Sequence, residues 1–345
     1  YLANPISGDL REVGVLRILP KELVELSEET GQAEIGKDVL IFDKTQRRSF
    51  IVTTDSVCDL PQSLIKEFDI SVCPYYVCTE EGRFLDELEL GADELLEHIS
   101  MGKVGYSDAP KVEDYERFFA QRLTEAQNVI HITMAKHVSQ GYNNALEAAK
   151  AFENVTVLDS GHLSSSMGLV VLYAAYMAEN HVTKTEIIQQ VKNLRRYISS
   201  AFIIDSTHMM CHAGRIPKRI QILCDTLLMH PIIVLRKSRM AVGSMEIGGF
   251  AHVAKRYVRK VLMDVRNIDR RILFITYAGM DKEKLQYIQE LVRQYCPFER
   301  VYLQKASSAI ASNCGPCSFG LLFIKKNDAM INFSEVSKDF ADNNV

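Results

Sequence analysis

Asn128 to Ala151 reads NVIHITMAKHVSQGYNNALEAAKA and joins two different hydrophobic patterns. The first six residues alternate into a short apolar run with β-branched side chains, which predicts a strand, and from Asn144 onward Ala and Leu repeat at helical spacing. Ser139 lies in the loop between them, followed by the small Gly141. A hydroxyl beside the exposed N–H groups of a first helical turn is suited to hold a ligand carboxylate or phosphate. The alternative is that Ser139 only caps its own helix.

An alternation of strands and helices surrounds this stretch. The predicted strands are Phe50–Ser56, Ile70–Cys78, Asn128–Thr133 and Val155–Ser160, and the predicted helices are Leu60–Phe68, Ala92–Ser100, Val112–Glu125, Met167–Ala178 and Thr183–Ile198. Two glycines and a proline in GKVGYSDAP predict a loop over residues 102–110. Such an order predicts a mostly parallel sheet with helices on both faces. Ligands of these sheets bind beyond the carboxyl ends of the strands, so we expect the loops after Thr54, Thr133 and Asp159 to form one rim.

A second pattern begins near Phe202. A hairpin with its turn at Arg236–Arg239, a basic helix from Phe250 to about Val265 and a later strand-helix-strand unit predict a smaller mixed α+β domain. We therefore expect four segments: an N-terminal extension of unknown role (1–48), an α/β parallel-sheet domain (49–198), a mixed α+β domain (199–326) and a polar C-terminal tail (327–345).

Length and composition restrict the class of protein. A chain of 345 residues with 47% hydrophobic residues is long enough for two globular domains. Lys and Arg number 40 against 44 Asp and Glu, and this net charge of −4 argues against nucleic acid as the main partner. Eight cysteines, mostly in apolar segments, predict buried thiols in a reducing compartment and hence a cytoplasmic protein. The apolar helix Met167–Ala178 is too short to span a bilayer, so no stable membrane insertion is expected.

Several motifs that would indicate an enzyme or a metal site are absent or incomplete. No Walker loop and no Gly-x-Gly-x-x-Gly motif supports a nucleotide site. The Asp-Ser-Gly-His run at residues 159–162 has the residue types of a hydrolase triad, but adjacent positions at a strand end cannot converge. His208, Cys211 and His212 lack a fourth ligand at a recognisable spacing, so we predict no metal site and no cofactor. The basic stripe at residues 255–260 is typical of a solvated helix face, with a docking face for an acidic protein as the alternative.

Cys314-Gly315-Pro316-Cys317 is the most specific-looking motif in the chain. A C-x-x-C pair lowers the pKa of one thiol and can cycle to a disulfide. In thioredoxins, however, this motif opens a long helix, whereas here an apolar strand follows almost at once. An incidental pair is favoured, and a redox protein remains an alternative that thiol titration with and without reductant would test.

Several short motifs, in order over about residues 50–325, resemble those of the DegV family of bacterial lipid-binding proteins. They are Thr54-Asp55-Ser56 with Asp59-Leu60-Pro61, SDAPKVEDY at Ser107–Tyr115, Ser139–Ala145, Asp159-Ser160, Ala213-Gly214-Arg215-Ile216, His230-Pro231-Ile232 and Ser312-Asn313-Cys314-Gly315-Pro316. The resemblance implies the two-domain DegV-like (EDD) fold, with a fatty acid buried between the domains and its carboxylate at their interface. It also implies a fatty acid kinase as partner.

The family's pattern also implies which residues hold the ligand. Ser107 and Ser139 match its two hydroxyl positions, and Gly141 belongs to the Ser139 motif. Asn313 stands where the family has a His, and it can donate a hydrogen bond but cannot carry a positive charge. Asp108 stands where the family has a Ser, and its carboxylate would repel that of a ligand unless it points away.

The leading interpretation is a non-enzymatic carrier of a long-chain fatty acid. The expected ligand-binding residues are Ser107, Ser139, Asn313, Gly141 and Asp108, and no catalytic residue is assigned. A small-molecule or phosphoryl-transfer enzyme that uses the same interdomain cleft is the alternative from a different class, beside the redox protein. These functions make different predictions, because an enzyme would turn over an acyl substrate and a carrier would only retain it.

Overall fold

A computed structural model describes residues 48–205, 207, 211 and 217–326. Within these residues, thirteen strands form three sheets: β1 Ile51–Asp55, β2 Ser71–Cys73, β3 Tyr76–Thr79, β4 Gly82–Leu85, β5 Gly105–Asp108, β6 Val129–Thr133, β7 Val155–Asp159, β8 Ile198–Ile203, β9 Met229–Arg236, β10 Arg239–Ile247, β11 Ile268–Ala278, β12 Arg300–Lys305 and β13 Ser318–Lys325. The α-helices of the same residues are α1 Gln62–Glu67, α2 Ala92–Ser100, α3 Val112–Arg122, α4 Gly141–Ala148, α5 Ser164–Glu179, α6 Lys184–Leu194, α7 Lys218–Thr226, α8 Phe250–Val261, α9 Lys282–Tyr295 and α10 Ser308–Cys314. The N-terminal extension, the C-terminal tail, His208, His212 and the Ala213–Ile216 motif lie outside the described residues.

The parallel sheet has the strand order β2-β1-β6-β7, and all its pairs are parallel. Every residue of β1 and β6 is buried, as expected for strands covered on both faces. Thr54 pairs with Ile132, and Thr133 pairs with Asp159, so the three strands end at the same edge. This register confirms the predicted rim.

The larger sheet is mixed, with the order β10-β9-β8-β13-β11-β12 and a parallel pairing between β11 and β12. Its hairpin turns at Lys237 and Ser238, whose φ angles of 50° and 61° are both left-handed. Two such residues give the backbone twist that suits a two-residue hairpin loop. The predicted α/β class, with a parallel sheet and a separate mixed sheet, is confirmed.

A small antiparallel sheet, β4-β3-β5, was not expected. The predicted strand Ile70–Cys78 is wrong as one element, because Pro74 separates β2 from β3, which belong to different sheets. Proline lacks the N–H that a continuing strand would need. The predicted loop at residues 102–110 is wrong as well, because it contains β5. Gly105 serves close packing there, since a Cβ atom at this position would lie 2.8 Å from the Leu95 side chain.

Helix α5 is almost wholly buried and contacts both large sheets. All residues from Ser164 to Met177 are buried, and the helix packs against β1 on one side and β13 on the other. The main hydrophobic core accordingly combines Ile130 of the parallel sheet with Phe274 and Leu322 of the mixed sheet. Within the described residues, no helix combines the length and the apolar character that crossing a bilayer requires.

Candidate ligand-binding site

A cavity of about 290 Å³ lies between the mixed sheet and the segments that follow the strands of the parallel sheet. Most of its lining is apolar, and large contributors are Phe202, Ile204, Ile233, Leu235, Met240 and Phe319. Its polar lining includes Tyr75, Ser107, Asp108, Ser139, Gln140 and Asn313. An apolar cavity with a few polar groups is the usual form of a site for a small organic ligand.

Ser107 and Asn313 come from distant parts of the chain and meet at this cavity. Ser107 lies on β5, where it pairs with Val77 of β3, and Asn313 lies in the last turn of α10. The amide nitrogen of Asn313 donates to Ser107 Oγ at 3.1 Å and to the Ala309 carbonyl at 3.0 Å. Because a carbonyl only accepts, this second contact fixes which amide atom faces Ser107.

Ser139 lies one residue before Gln140, which is the N-cap of α4. Its Oγ accepts a hydrogen bond from the Gly141 N–H at 3.1 Å and lies 3.0 Å from the Tyr75 hydroxyl. The two roles considered for Ser139 are therefore compatible, because it binds the start of its helix and also lines the cavity. Gly141 is outside the lining. A Cβ atom at Gly141 would lie 2.1 Å from the Tyr75 hydroxyl, so this glycine makes room for Tyr75.

The Asp108 carboxylate is partly neutralised by a neighbour. Its Oδ2 atom accepts a hydrogen bond from Arg83 Nε at 3.2 Å, and Arg83 also approaches Asp114. Both Asp108 and Arg83 are partly exposed to solvent, which screens the remaining charge. The expected repulsion of an anionic ligand is thereby reduced.

Tyr75, Tyr115, Asp55 and His131 form a buried polar chain behind Ser139. Tyr115 donates to Asp55 Oδ1 at 2.8 Å, and the His131 Nε2 atom lies 3.2 Å from the same oxygen. The hydroxyls of Tyr75 and Tyr115 both lie beside Gly141. Burial, with the nearby Asp55 charge, raises the pKa of both tyrosines well above the ordinary value, so their hydroxyls stay protonated.

Sequence reasoning assigned none of these four residues to the site, although signals for them were present. Asp55 and Tyr115 belong to motifs that support the family resemblance, and Tyr75 lies in a stretch predicted as strand. What the sequence does not reveal is that two strands, a helix and a loop bring these side chains together.

Three carboxylates hold the start of α10, the helix that carries Asn313. Asp86 Oδ1 accepts from the Ser308 hydroxyl at 2.5 Å and from the Ala309 N–H at 2.9 Å. Asp59 Oδ1 accepts from the Ser307 N–H at 2.9 Å, and Glu87 also accepts from the Ser308 N–H. Burial raises the pKa of Asp59 to about 7.

The Cys314 and Cys317 thiols have the wrong electrostatics for a redox pair. Cys314 lies at the carboxyl end of α10, and burial, with Asp59 nearby, raises the pKa of its thiol to about 12. Burial also raises the pKa of Cys317, although the Lys284 ammonium lies 3.6 Å from its sulfur. Catalytic thiols need a lowered pKa. None of the eight cysteines, all within the described residues, forms a disulfide.

The basic stripe and the possible metal ligands were the remaining candidates from the sequence. On α8, Arg256 and Lys260 both pair with Glu246, which is buried, so part of the basic stripe neutralises a carboxylate of the mixed sheet. In the described part of the chain, no cluster of three or more His, Cys, Asp or Glu residues is arranged to hold a metal ion.

Comparison with known protein families gives a match over most of the chain. A family model described as "Uncharacterised protein, DegV family" matches residues 49–326. A DegV domain-containing protein of Caldanaerobacter subterraneus is 25% identical over 280 residues, which cover 80% of this chain and 98% of that protein. A DegV domain-containing protein of Staphylococcus aureus is 21% identical over 281 residues, which cover 80% of this chain and 99% of that protein.

Solved structures of similar fold agree with these matches. A fatty-acid-binding DegV family protein from Thermus thermophilus superimposes with a TM-score of 0.72 at 25% identity, covering 81% of this chain and 100% of that one. DegV from Bacillus subtilis, described as a fatty acid binding protein, gives a TM-score of 0.69 at 19% identity, covering 81% and 100%. A stearic acid-binding protein from Eubacterium ventriosum gives 0.69 at 20% identity, covering 80% and 98%.

Proposed function

The chain belongs to the DegV family, and from this premise we propose that it binds a long-chain fatty acid in the cavity between its mixed sheet and the segments that follow the parallel strands. The carboxyl group of the ligand would lie at Ser107, Ser139 and Asn313. The observation that carries this proposal is the apolar cavity, into which two hydroxyls project from separate elements. Fatty-acid binding by the Thermus thermophilus relative supports it.

The energetics of such a complex favour a fatty acid over a small polar ligand. Each methylene group transferred from water into the cavity contributes roughly 0.8 kcal/mol, so the acyl chain supplies most of the affinity. Hydrogen bonds from the head-group residues contribute about 1 to 3 kcal/mol in total, which is enough to fix the orientation of the ligand. The protein would therefore tolerate some variation in chain length and discriminate by head group.

The proposed role requires no covalent step by this chain and no cofactor besides the bound lipid. We also propose the cytosol as its location, because eight cysteines without a disulfide suit a reducing compartment. The family resemblance supports a fatty acid kinase as partner. Formation of an acyl phosphate from the bound lipid when a bacterial fatty acid kinase and ATP are added would support that partnership, and no product would argue against it.

Mass spectrometry of denatured protein purified from bacteria tests lipid binding directly. We expect one equivalent of acyl chain. Leu235→Trp, which fills the cavity, should reduce this amount several-fold, whereas Leu303→Trp at an exposed position of β12 should leave it unchanged. Repeated preparations without an acyl chain would contradict the proposal. If the isolated chain turned over an acyl substrate and Ser139→Ala abolished that activity, the protein would be an enzyme and not a carrier.

A further inference from the structure

The tip of the β9–β10 hairpin forms part of the cavity wall. Leu235 and Met240 are paired directly opposite each other on these two strands, and both line the cavity. Residues that face each other in an antiparallel pair project from the same side of the sheet. Both side chains therefore extend towards the ligand space from a position close to the turn at Lys237 and Ser238.

Two contacts enclose this part of the cavity. The hydroxyls of Ser200 on β8 and Ser166 on α5 are hydrogen-bonded at 2.9 Å, so the helix covers the sheet beside Leu235. At the turn, a Cβ atom on Gly161 would lie 3.0 Å from Ser238 Oγ, so these two residues are in close contact. The hairpin tip thus reaches the loop that follows β7.

The proposed head-group residues lie near a different corner of the mixed sheet. Ser318, the first residue of β13, donates its hydroxyl proton to the Cys314 carbonyl at 2.7 Å. This bond fixes the last turn of α10, which carries Asn313, and Asn313 is in turn bonded to Ser107. The start of β13 therefore marks the end of the cavity at which the carboxyl group is proposed to bind.

The strand register gives the distance between these two ends. One row of the sheet joins Phe319, Ile203 and Ile232 across β13, β8 and β9, and β10 is the next strand. Ser318 precedes this row by one residue, and the β9 partner of Met240 follows it by three. Met240 is thus displaced from Ser318 by four residues along the strands and by three strand spacings across them. At about 3.3 Å per residue and 4.8 Å per spacing, the two Cα atoms are roughly 20 Å apart.

An extended acyl chain of common length matches this distance. With C–C bonds of about 1.5 Å at tetrahedral angles, each carbon advances the chain by about 1.25 Å, so about 16 carbons span it. A chain whose carboxyl group is held at Ser107 and Asn313 would therefore end against Leu235 and Met240. Met240 lies one strand beyond Leu235 on this path.

We propose that the tip of the β9–β10 hairpin limits the length of the bound acyl chain, with Met240 as the specificity-determining residue. This inference rests on the proposed function and names the preferred ligands, which are chains of about 14 to 18 carbons. The unbranched, flexible side chain of methionine suits this role, because it fills the space that the end of the lipid leaves.

Two substitutions of Met240 should shift the preferred length in opposite directions. Met240→Ala removes all side-chain atoms beyond Cβ, so chains about two carbons longer should fit. The affinity for such a longer acid should rise about tenfold relative to the wild-type protein, because two more methylene groups are buried. Met240→Trp extends further into the cavity, so chains about two carbons shorter should predominate, at lower occupancy.

Mass spectrometry of denatured protein purified from bacteria gives the distribution of bound chain lengths. Competition among the even-numbered saturated acids from laurate to arachidate gives their relative affinities. Met240→Leu nearly conserves the side-chain volume and should keep the wild-type distribution. Met263→Ala removes the same atoms as Met240→Ala at a position that is 77% exposed and outside the described lining, so it should also leave the distribution unchanged.

The same measurements separate failure of this inference from failure of the proposed function. If lipid remained bound and the length distribution stayed the same in Met240→Ala and Met240→Trp, the hairpin would not limit chain length. A shift in the same direction in both variants would also refute this role. A general loss of stability would lower occupancy without moving the two distributions apart. If neither the wild-type protein nor any variant carried an acyl chain, lipid binding itself would be refuted.

Discussion

Gly141 leaves no space for an added methyl group. A Cβ atom there would lie 2.1 Å from the Tyr75 hydroxyl and 3.1 Å from the Tyr115 hydroxyl. We expect Gly141→Ala to destabilise the protein by about 1 to 3 kcal/mol, because Tyr75 must move out of its packed position, and to weaken ligand binding. Urea denaturation and a lipid-binding assay measure the two effects. Gly91→Ala is the control, since nothing lies within 4 Å of that position.

A double variant tests the cause of this effect. Combining Gly141→Ala with Tyr75→Phe removes the hydroxyl oxygen that clashes most closely with the added methyl group. The double variant should therefore lose less free energy of unfolding than the two single variants lose in sum. Additive costs would mean that the added methyl group acts elsewhere than on Tyr75.

Asp59 should make stability depend on pH. Burial raises the pKa of its carboxyl group from an ordinary value near 4 to about 7 in the folded protein. Between these two pH values the folded state binds a proton that the unfolded state has released, so the free energy of unfolding should fall as pH rises through this window. Asp59→Asn should flatten that decline, and urea denaturation at a series of pH values measures it. Asp59 would not be the responsible group if the free energy of unfolding of the wild-type protein fell with rising pH only below pH 4. The same conclusion would follow if Asp59→Asn left that fall unchanged.

At the scale of single elements, α10 depends on a neighbouring segment for its first turn. Asp86 accepts hydrogen bonds from Ser308 and Ala309 there, and its other oxygen accepts one from Ser56. We expect Asp86→Ala to cost roughly 3 kcal/mol, because buried donors lose a charged acceptor. Hydrogen exchange of α10 amides should become faster, and bound lipid should dissociate sooner, because Asn313 lies on this helix.

Asp93→Ala is a suitable comparison for this variant. Asp93 is exposed and pairs with Lys305, an interaction that contributes about 0 to 1 kcal/mol. We therefore expect this variant to leave exchange in α10 unchanged. If Asp86→Ala left the hydrogen exchange of the α10 amides unchanged, packing and not capping would hold the helix.

Elements with strong local patterns were predictable from the sequence. β6, α5 and the hairpin of the mixed sheet each follow from periodicity or turn chemistry. The helix α10 was not predicted, since SAIASNC has small residues, no long apolar face and a start held by distant carboxylates. β5 was also missed, because its partner β3 lies far away in sequence. For the site, the serines and Asn313 came from family motifs, whereas the Tyr75 chain required knowing which elements are neighbours.

At the scale of the whole molecule, the predicted division between residues 198 and 199 falls within a continuous apolar core. Phe274 and Leu322, from beyond that division, pack in the same cluster as Ile130 and Leu169. The cavity is likewise lined from both sides of it. We propose that the two predicted domains are structural subdivisions that fold and unfold together, because neither part encloses this core alone.

This continuity predicts the response of the whole protein to a bound lipid. Thermal unfolding of lipid-free protein should show one transition for the described region, and fatty acid at a hundred times its Kd should stabilise that transition by about 2.7 kcal/mol. Calorimetry measures the number of transitions, and intrinsic tyrosine fluorescence follows the same change. If two transitions were seen and only one moved with lipid, the ligand would contact a single domain. Because the cavity is lined by the mixed sheet and by the segments that follow the parallel strands, we expect ligand and core to stabilise both parts as one unit.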